Sequence, residues 1–323
     1  MRKIMIFFVA VMIIGVITPN LFLIDVFNSK NEKTTQNSIQ NKEKIRDEEK
    51  IKLLLSDSGE IIELELDEYI KGVLIGEVPI TYEIEALKAQ AIVARTYTLY
   101  KLKNNQGLHE NADMCDDINC CQCYKTKEYA YNSWEDDIEN ENWNKLEKAV
   151  NETKNKHITY NGEIISAFFH ANSGGQTENV KYVWGGEEIP YLQSVKGNEI
   201  DIYQDVKKFT KVEFAELIKE KVSDYIEKDY EISILDYTGS GRANNLKIGN
   251  VNLKATELRK MLGLRSTNFR IEKTEDGIIS FYTIGYGHGV GLSQEGANQM
   301  AKDGANFESI IKHYYKNVEI QEL

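Results

Sequence analysis

The fold of this chain is decided by the stretch "GEVPITYEIEALKAQAIVARTY", residues 76–97, in which a proline separates two predicted helices. Pro79 favours an extended conformation at the residue before it, so the first helix is expected to end near Glu77. A second helix is predicted to begin around Thr81, because the side chains that follow recur at helical spacing. These are Ile84, Leu87, Ala91 and Ala94, and the small residues would let another element pack closely. The stretch therefore places Glu77 at the junction of two helices.

Upstream of this junction, alternating apolar residues on both sides of the turn "SDSGE", residues 56–60, predict a β-hairpin. Asp67 is expected to cap the short helix that follows the hairpin. The buried side of that helix would carry Tyr69, Ile70, Val73 and Leu74.

Downstream, β-rich stretches are predicted within residues 157–175, 231–253 and 278–292. Amphipathic helices are expected within 208–228, from Ser293 to Asp303, and from Phe307 to about Lys316. The chain shows neither βαβ alternation nor an internal repeat. We therefore predict an α+β fold, built as one compact unit or as two lobes with a cleft.

The composition limits the class of partner. The 323 residues carry a net charge of -12 with a pI near 5.1, and 41% of them are hydrophobic. The hydrophobic content is that of a globular protein. The acidic balance argues against a nucleic-acid partner, because binding to duplex phosphates needs a basic surface.

The N-terminus predicts a membrane location. The sequence "MRK" precedes fourteen apolar residues, 4–17, and the stretch from Ile4 to Ile24 is about long enough to cross a bilayer. Positive charge before this stretch predicts a single-pass anchor at residues 1–27 with its N-terminus in the cytoplasm. A cleaved signal peptide is the alternative. Residues 28–50 are polar and charged, which is typical of a linker, and residues 51–323 would form the extracytoplasmic domain.

Glu77 and two cations on the second helix are the first candidate site. An acid that donates a proton must keep it near neutral pH, which requires partial desolvation of the carboxyl group. Ile75, Val78 and Pro79 are apolar neighbours that could supply this environment. Lys88 and Arg95 lie seven residues apart, so they would share a helix face and could flank a cleft. Alternatively, they pair with Glu85 or with solvent.

Two glycine-rich stretches are candidate binding loops. "NSGG", 172–175, and "WGGEEIPYL", 184–192, would let backbone lie against a flat ligand such as a sugar ring, or would form ordinary turns. In "GYGHGVG", 285–291, the glycines recur at every second residue, which predicts an extended segment with one bare face. Tyr286 and His288 would lie on the opposite face, and Ser293 and Gln294 open the next helix. His288 is either a substrate contact or a structural histidine.

A Cys/His-rich insertion near residues 107–124 is the candidate metal site. All four cysteines of the chain lie in "HENADMCDDINCCQCY", residues 109–124. They are too close together for a disulfide to constrain much chain, so a tetrahedral zinc site is favoured over disulfides. The predicted ligands are His109, Cys115 and Cys121, with Cys120 as the fourth and Cys123 as its substitute. Zinc at this position would be a structural clip.

Six motifs occur in the order found in the stage II sporulation protein D family, which is related to amidase-enhancer proteins. They are "GEVP", "EALKAQAIVARTY", "SGGQTE", "VWGG", "PYL" and "GYGHGVGLSQEGANQMAKDG". The chain resembles this family from about Glu60 to the C-terminus. The resemblance implies a peptidoglycan lytic transglycosylase that acts in engulfment during sporulation, with Glu77 as its acid. Clostridial-looking members carry a His-Cys pair where this chain has Cys120 and Cys121, which leaves the fourth zinc ligand open.

The resemblance also implies a substrate, partners and a location. The substrate would be glycan strands already stripped of stem peptides, and the partners would be the stage II sporulation proteins P, an amidase, and M. The location would be the mother-cell engulfing membrane. We expect cleavage between N-acetylmuramic acid and N-acetylglucosamine with a 1,6-anhydro product. The residues expected to hold the sugars are Lys88, Arg95, Ser173, Tyr191, His288 and Gln294.

Three alternative functions remain open at the sequence level. An inverting glycan hydrolase would use Glu178 or Glu295 as a second carboxylate that activates water. A non-enzymatic protein that enhances a cell-wall amidase belongs to a different class. A zinc peptidase is less favoured, because no helix carries paired histidines with a glutamate.

Overall fold

The computed structural model describes residues 50–104, 109–135, 138–197, 199, 204–226 and 231–323. The predicted anchor, 1–27, and the predicted linker, apart from Lys50, lie outside the described residues. Among the described residues, no helix has both the length and the apolar character required to cross a bilayer. The described residues form one compact unit with a mixed α+β fold.

The helices of the described residues are α1 (Leu66–Glu77), α2 (Ile84–Asn104), α3 (Lys127–Ser133), α4 (Glu139–Asn151), α5 (Val180–Trp184), α6 (Lys211–Lys221), α7 (Ala255–Leu262), α8 (Gln294–Lys302) and α9 (Phe307–Tyr314). The strands are β1 (Lys50–Leu54), β2 (Ile61–Glu65), β3 (Met114–Cys115), β4 (Lys156–Tyr160), β5 (Glu163–Ile164), β6 (Phe169–His170), β7 (Gln204–Thr210), β8 (Ile232–Tyr237), β9 (Ala243–Ile248), β10 (Val251–Lys254), β11 (Phe269–Lys273), β12 (Ile278–Ile284), β13 (Leu292–Ser293) and β14 (Glu319–Glu322). They form small sheets with the orders β2-β1-β3, β14-β4-β5, β13-β6, β11-β12-β7 and β10-β9-β8.

The first hydrophobic core surrounds α2, which packs against α1, α4, α8, α9 and β4. Contacts on so many sides explain why the sequence of α2 is rich in alanine, because small side chains let neighbouring elements approach closely. The predicted hairpin is confirmed: β1 and β2 pair antiparallel across the turn at residues 56–60. The buried side predicted for α1 is also confirmed.

Two local predictions about these helices are wrong. α2 begins at Ile84 rather than around Thr81, and the backbone amide of Tyr82 instead bonds to the Pro79 carbonyl in a turn. Asp67 does not cap α1, whose N-cap position is Glu65 without a side-chain hydrogen bond. The carboxylate of Asp67 instead accepts a hydrogen bond from the buried Arg95 guanidinium at 2.8 Å, and does not bond to the backbone amides of α1.

A second hydrophobic core lies between β7, β8, β9, β11, β12, α6 and α7. Buried polar contacts connect residues of this part to the loop around residues 173–178. Arg242 donates hydrogen bonds to the backbone carbonyls of Ser173 and Gln176. The Glu178 carboxylate accepts hydrogen bonds from the hydroxyls of Thr238 at 2.5 Å and Ser240 at 2.6 Å.

Candidate functional site

Glu77 is the last residue of α1, and its carboxylate accepts a hydrogen bond from the backbone amide of Cys123 at 2.7 Å. The residue is half-buried. Desolvation raises the pKa of this carboxyl, while the Cys123 amide and the Gln294 side chain act in the opposite direction. The raised pKa means that desolvation is the larger effect. Glu77 therefore holds its proton to higher pH than an exposed glutamate.

Two glycines of α1 allow the Cys123 segment to lie against the helix. A Cβ atom at Gly76 would lie 2.8 Å from the Cys123 Sγ and 3.0 Å from the Cys123 carbonyl. A Cβ atom at Gly72 would lie 2.1 Å from the ring of Tyr124. Gly72 and Gly76 are four residues apart, so they share one helix face. This bare face is the local reason why the Cys123 amide reaches Glu77.

Gln294 and Tyr97 are two further neighbours of the acid. Gln294 is the first residue of α8, which Ser293 caps by accepting the Gly296 amide. The Gln294 side chain is buried and affects the pKa of Glu77, yet its Nε2 atom has no hydrogen-bond partner among the described residues. Tyr97 on α2 is buried, and its pKa is raised by burial, then by Cys121, Cys120 and Cys115, and then by Glu77. Tyr97 therefore lies close enough to both the acid and the cysteines to interact with their charges.

His109, Cys115, Cys120 and Cys121 converge, and their donor atoms all lie within 4.8 Å of one another. The His109 Nε2 is 3.5 Å from the Sγ of both Cys120 and Cys121, and these sulfurs are 3.8 Å apart. A tetrahedral zinc with Zn–S bonds of about 2.3 Å requires sulfur–sulfur separations of about 3.8 Å. The four donors therefore fit zinc, and they are the four predicted residues. Cys123, the predicted substitute, is not one of the converging donors, and its backbone amide instead donates to Glu77.

An aromatic wall extends from Tyr97 to the glycine-rich segment. The ring of Phe168 lies 6.0 Å from that of Tyr97 and 4.6 Å from that of Trp184. The Trp184 ring lies 4.9 Å from the imidazole of His288. His288 is neutral, because burial and then the charge of Arg259 lower its pKa to about 3. Its Nδ1 accepts a hydrogen bond from the Val290 amide at 3.0 Å.

The glycine-rich segment is not the extended strand that its alternation predicts. Gly285, Gly287, Gly289 and Gly291 have φ angles of 80°, 113°, 87° and 75°. Positive φ angles are favourable only for glycine, and they turn the backbone away from a regular strand. The bare glycines nevertheless allow a close approach of backbone, because a Cβ atom at Gly291 would lie 1.9 Å from the Phe168 carbonyl oxygen. The segment thus packs against β6 as well as presenting His288.

Lys88 and Arg95, the predicted cations, are held by contacts within the protein. The Lys88 Nζ pairs with Glu85 at 2.7 Å and with Glu152 at 2.6 Å. Arg95 is 0% exposed, and it pairs with Asp67 and donates to the Thr153 carbonyl. Neither contact tests sugar binding, which stays a prediction for both residues.

Ser173 and Tyr191 also have internal partners. The hydroxyl and the amide of Ser173 both donate to the buried carboxylate of Glu199. The Tyr191 hydroxyl accepts a hydrogen bond from the Ser166 amide at 3.2 Å, and its ring packs against Tyr160. Of the six residues predicted to hold sugars, the structure brings Gln294 to Glu77 and places His288 on the aromatic wall.

Sequence reasoning missed Tyr97, Phe168 and the backbone amide of Cys123. A signal for Cys123 was present, because glycines four residues apart in a helix, Gly72 and Gly76, indicate a close neighbour. No comparable signal identified Phe168, because its partners are distant along the chain.

The fold and this site define a class: an α+β protein with one desolvated acid at a helix end, beside a Cys/His cluster and an aromatic wall. Comparison with known proteins gives the family. A family model described as "Stage II sporulation protein" matches residues 56–160. The chain is 36% identical over 264 residues to stage II sporulation protein D of Bacillus subtilis (strain 168), covering 80% of this chain and 74% of the relative.

The protein of that name from Bacillus amyloliquefaciens is also 36% identical, over 261 residues, 80% of this chain and 74% of the relative. The chain belongs to the stage II sporulation protein D family, a family of sporulation proteins. It is also 29% identical over 305 residues to an amidase enhancer of Bacillus subtilis (strain 168), covering 76% of this chain and 39% of that protein.

Proposed function

We propose that this protein is a lytic transglycosylase that cleaves peptidoglycan between N-acetylmuramic acid and N-acetylglucosamine during sporulation engulfment. The observation that carries the proposal is the desolvated carboxyl of Glu77, whose pKa is raised by burial. A general acid for glycoside cleavage needs this property, because it must arrive at the substrate protonated. The aromatic wall beside it supplies the kind of lining that ligand sites favour.

The proposed reaction uses one carboxyl group twice. Glu77 first donates its proton to the oxygen between the two sugars, that bond breaks, and positive charge develops at the anomeric carbon of the muramic acid. The Glu77 carboxylate then takes the proton of the 6-hydroxyl, whose oxygen bonds to the anomeric carbon and closes the 1,6-anhydro ring. The hydroxyl belongs to the same sugar, so its effective concentration is high and water competes poorly. The acid ends the cycle protonated again.

The positions of Glu178 and Glu295, the two candidates for a second catalytic carboxylate, favour this reaction over hydrolysis. An inverting hydrolase needs a second carboxylate with room for a water molecule. Glu178 is buried and accepts hydrogen bonds from Thr238 and Ser240. Glu295 is buried and accepts the Tyr82 hydroxyl at 2.6 Å. Both carboxylates are committed to contacts within the protein.

Zinc is the proposed cofactor, held by His109, Cys115, Cys120 and Cys121. When bound, it would supply a structural cross-link and no step of the reaction. Burial raises the pKa of the Cys115 and Cys121 thiols, so a nearby cation is needed to keep them as thiolates. The cross-link would hold the segment that ends two residues later in the Cys123 amide, the hydrogen-bond donor to Glu77.

The proposed setting follows the predicted architecture. Residues 1–27 would anchor the chain in the mother-cell engulfing membrane, the linker 28–50 would follow, and the catalytic domain, 51–323, would lie outside. Peptide-free strands would come from the amidase, stage II sporulation protein P, and protein M would be a further partner. The net charge of -12 argues against a nucleic-acid partner.

A second candidate function is supported by the relative named amidase enhancer. In that case the protein would bind the cell wall or an amidase without cleaving glycan itself. The two functions differ in what the isolated protein does to peptide-free strands when no amidase is present.

The test is incubation of the purified full-length protein with peptide-free glycan strands, followed by mass spectrometry. We expect products ending in 1,6-anhydro-muramic acid, one water lighter than hydrolysis products. Glu77→Gln should abolish them, because a carboxamide is too weakly acidic to transfer a proton, while Glu308→Gln, an exposed change on α9, should not. Unchanged cleavage by Glu77→Gln would remove the acid from the mechanism, hydrated products would indicate a hydrolase, and inert wild-type protein would favour the enhancer.

A further inference from the structure

Glu199 is a buried carboxylate that the proposed reaction does not use. Its Oε1 atom accepts hydrogen bonds from the Ser173 amide at 2.8 Å, from the Ser173 hydroxyl, and from the Ser293 hydroxyl at 2.8 Å. The residue is buried, and a buried polar group that loses its partner is costly, so these contacts are hard to break. One carboxylate therefore ties two segments together, the loop at residues 172–175 and the start of α8.

Two glycines leave the space that this carboxylate occupies. A Cβ atom at Gly197 would lie 2.0 Å from the Glu199 Oε2, and a Cβ atom at Gly296 would lie 2.9 Å from the same oxygen. The Gly197 amide donates to the Gly175 carbonyl at 2.9 Å, which holds the segment that carries Glu199 against the loop at residues 172–175. A side chain at either glycine would have to displace the carboxylate. The local sequence is thus shaped around Glu199.

A buried arginine offsets the negative charge of this carboxylate. Burial lowers the pKa of Arg242 to about 10, while the nearby charges of Glu178 and Glu199 act in the opposite direction. The same guanidinium donates to the Ser173 carbonyl, so the cation and the carboxylate hold the same loop residue. A buried charge is tolerated when it is paired and hydrogen-bonded in this way.

The start of α8 carries the side chain that reaches the acid. The Ser293 hydroxyl donates to Glu199, and its oxygen caps the helix by accepting the Gly296 amide at 3.3 Å. The next residue, Gln294, is buried, and its side chain lies close enough to the Glu77 carboxyl to affect the pKa of that group. A shift of the first turn of α8 would therefore move Gln294 relative to Glu77. Groups in a catalytic site must be held within about 0.5 Å of their productive geometry.

We propose that Glu199 is a positioning residue for the reaction of Glu77. By binding Ser173 and Ser293 together, its carboxylate fixes the first turn of α8 and so holds Gln294 at the acid. Ser173 acts through this carboxylate, because its hydroxyl donates to Glu199 and the residue is 0% exposed. The inference rests on the proposed function, because it assumes that Glu77 is the acid.

The test measures kcat and KM for peptide-free glycan strands with the full-length chain carrying Glu199→Gln. The glutamine keeps the shape of the side chain but replaces charge-assisted hydrogen bonds with weaker neutral ones. We expect kcat to fall by about tenfold with KM unchanged, because small misplacements of a catalytic site slow the reaction without removing substrate contacts. Glu216→Gln, an exposed change on α6, is the control and should leave both constants unchanged.

A second variant, Ser173→Ala, removes only one hydroxyl and should also lower kcat with KM unchanged. The Gln294→Ala background separates positioning from a general loss of folded protein. Adding Glu199→Gln to Gln294→Ala should lower kcat no further, because the carboxylate acts through the glutamine that is already missing.

Three results would overturn the positioning role: an unchanged kcat for Glu199→Gln and Ser173→Ala, a rise in KM alone, or the same loss of kcat with and without Gln294. A rise in KM alone for Ser173→Ala would instead make this serine a substrate contact. If the wild-type chain forms no anhydro product, the proposed function itself fails and the positioning role fails with it.

Discussion

Replacement of Gly76 by alanine tests whether the Cys123 segment sets the properties of the acid. Alanine ordinarily stabilises a helix by about 0.5–1 kcal/mol relative to glycine. Here the new Cβ atom would lie 2.8 Å from the Cys123 Sγ and 3.0 Å from the Cys123 carbonyl, so the segment must move away from α1. Overpacking costs about 1–3 kcal/mol, and a lost hydrogen bond to a charged group about 1.5–3 kcal/mol. The free energy lost through overpacking and the broken hydrogen bond therefore exceeds the free energy gained from the higher helix propensity of alanine.

We therefore expect Gly76→Ala to lower the free energy of unfolding by about 2–5 kcal/mol in urea titration. The Cys123 amide holds the pKa of Glu77 down against desolvation, so its displacement should raise that pKa further. The basic limb of the pH–rate profile should then shift to higher pH, because a general acid stays protonated longer. Asn144→Ala on the exposed face of α4 is the control and should be slightly stabilising without moving the profile.

A Gly76→Ala variant that gains stability as the control does, with an unchanged pH profile, would refute this account. It would mean that the segment accommodates a methyl group and that the Cys123 amide does not set the pKa of Glu77. A loss of stability without any shift of the pH–rate profile would refute only the inference that the Cys123 amide sets the pKa of Glu77.

Three further predictions concern the acid, the metal and the buried cation. Because the pKa of Glu77 is raised in the folded state, its contribution to stability is lost as the pH rises from the ordinary pKa of glutamate through the raised pKa. Glu77→Gln should therefore increase the melting temperature at neutral pH. An unchanged or lower melting temperature would contradict the desolvation of Glu77. A chelator should remove one zinc ion per chain and lower the melting temperature, as should Cys121→Ser; a chain purified without zinc and insensitive to chelators would contradict the site. Arg95→Ala should cost about 3–5 kcal/mol of unfolding free energy, because it empties a fully buried position and removes the bonds to Asp67 and to the Thr153 carbonyl, leaving Asp67 with only Lys154, at 3.9 Å, among the described residues. A change below 1 kcal/mol in urea titration would show that the pair is not structural.

The sequence predicted the features that depend on local pattern. The hairpin, the apolar face of α1 and the end of α1 at Glu77 follow from periodicity and from Pro79, and the structure has all of them. The four predicted zinc donors converge because they are close along the chain.

The remaining features depend on partners that a sequence does not specify. Asp67 has the chemistry of a helix cap, but a buried arginine outcompetes the backbone amides for its carboxylate. Lys88 was expected either in a cleft or with Glu85, and only the fold adds Glu152 as a second anion. The alternating glycines of residues 285–291 have the period of a strand, yet their positive φ angles follow from contacts with distant backbone.

The polar contacts of Arg242 and Glu178, which connect the two hydrophobic cores, determine how the protein unfolds. Arg242 and Glu178 make directional contacts that are lost after small displacements, unlike apolar packing, which tolerates sliding. Melting of the second core would therefore release the loop that carries Ser173 at the same temperature. Cleavage of the chain within the second core would then inactivate the protein without cutting any residue near the acid. A fragment that contains only one of the two cores would therefore not be expected to keep the properties of the intact protein.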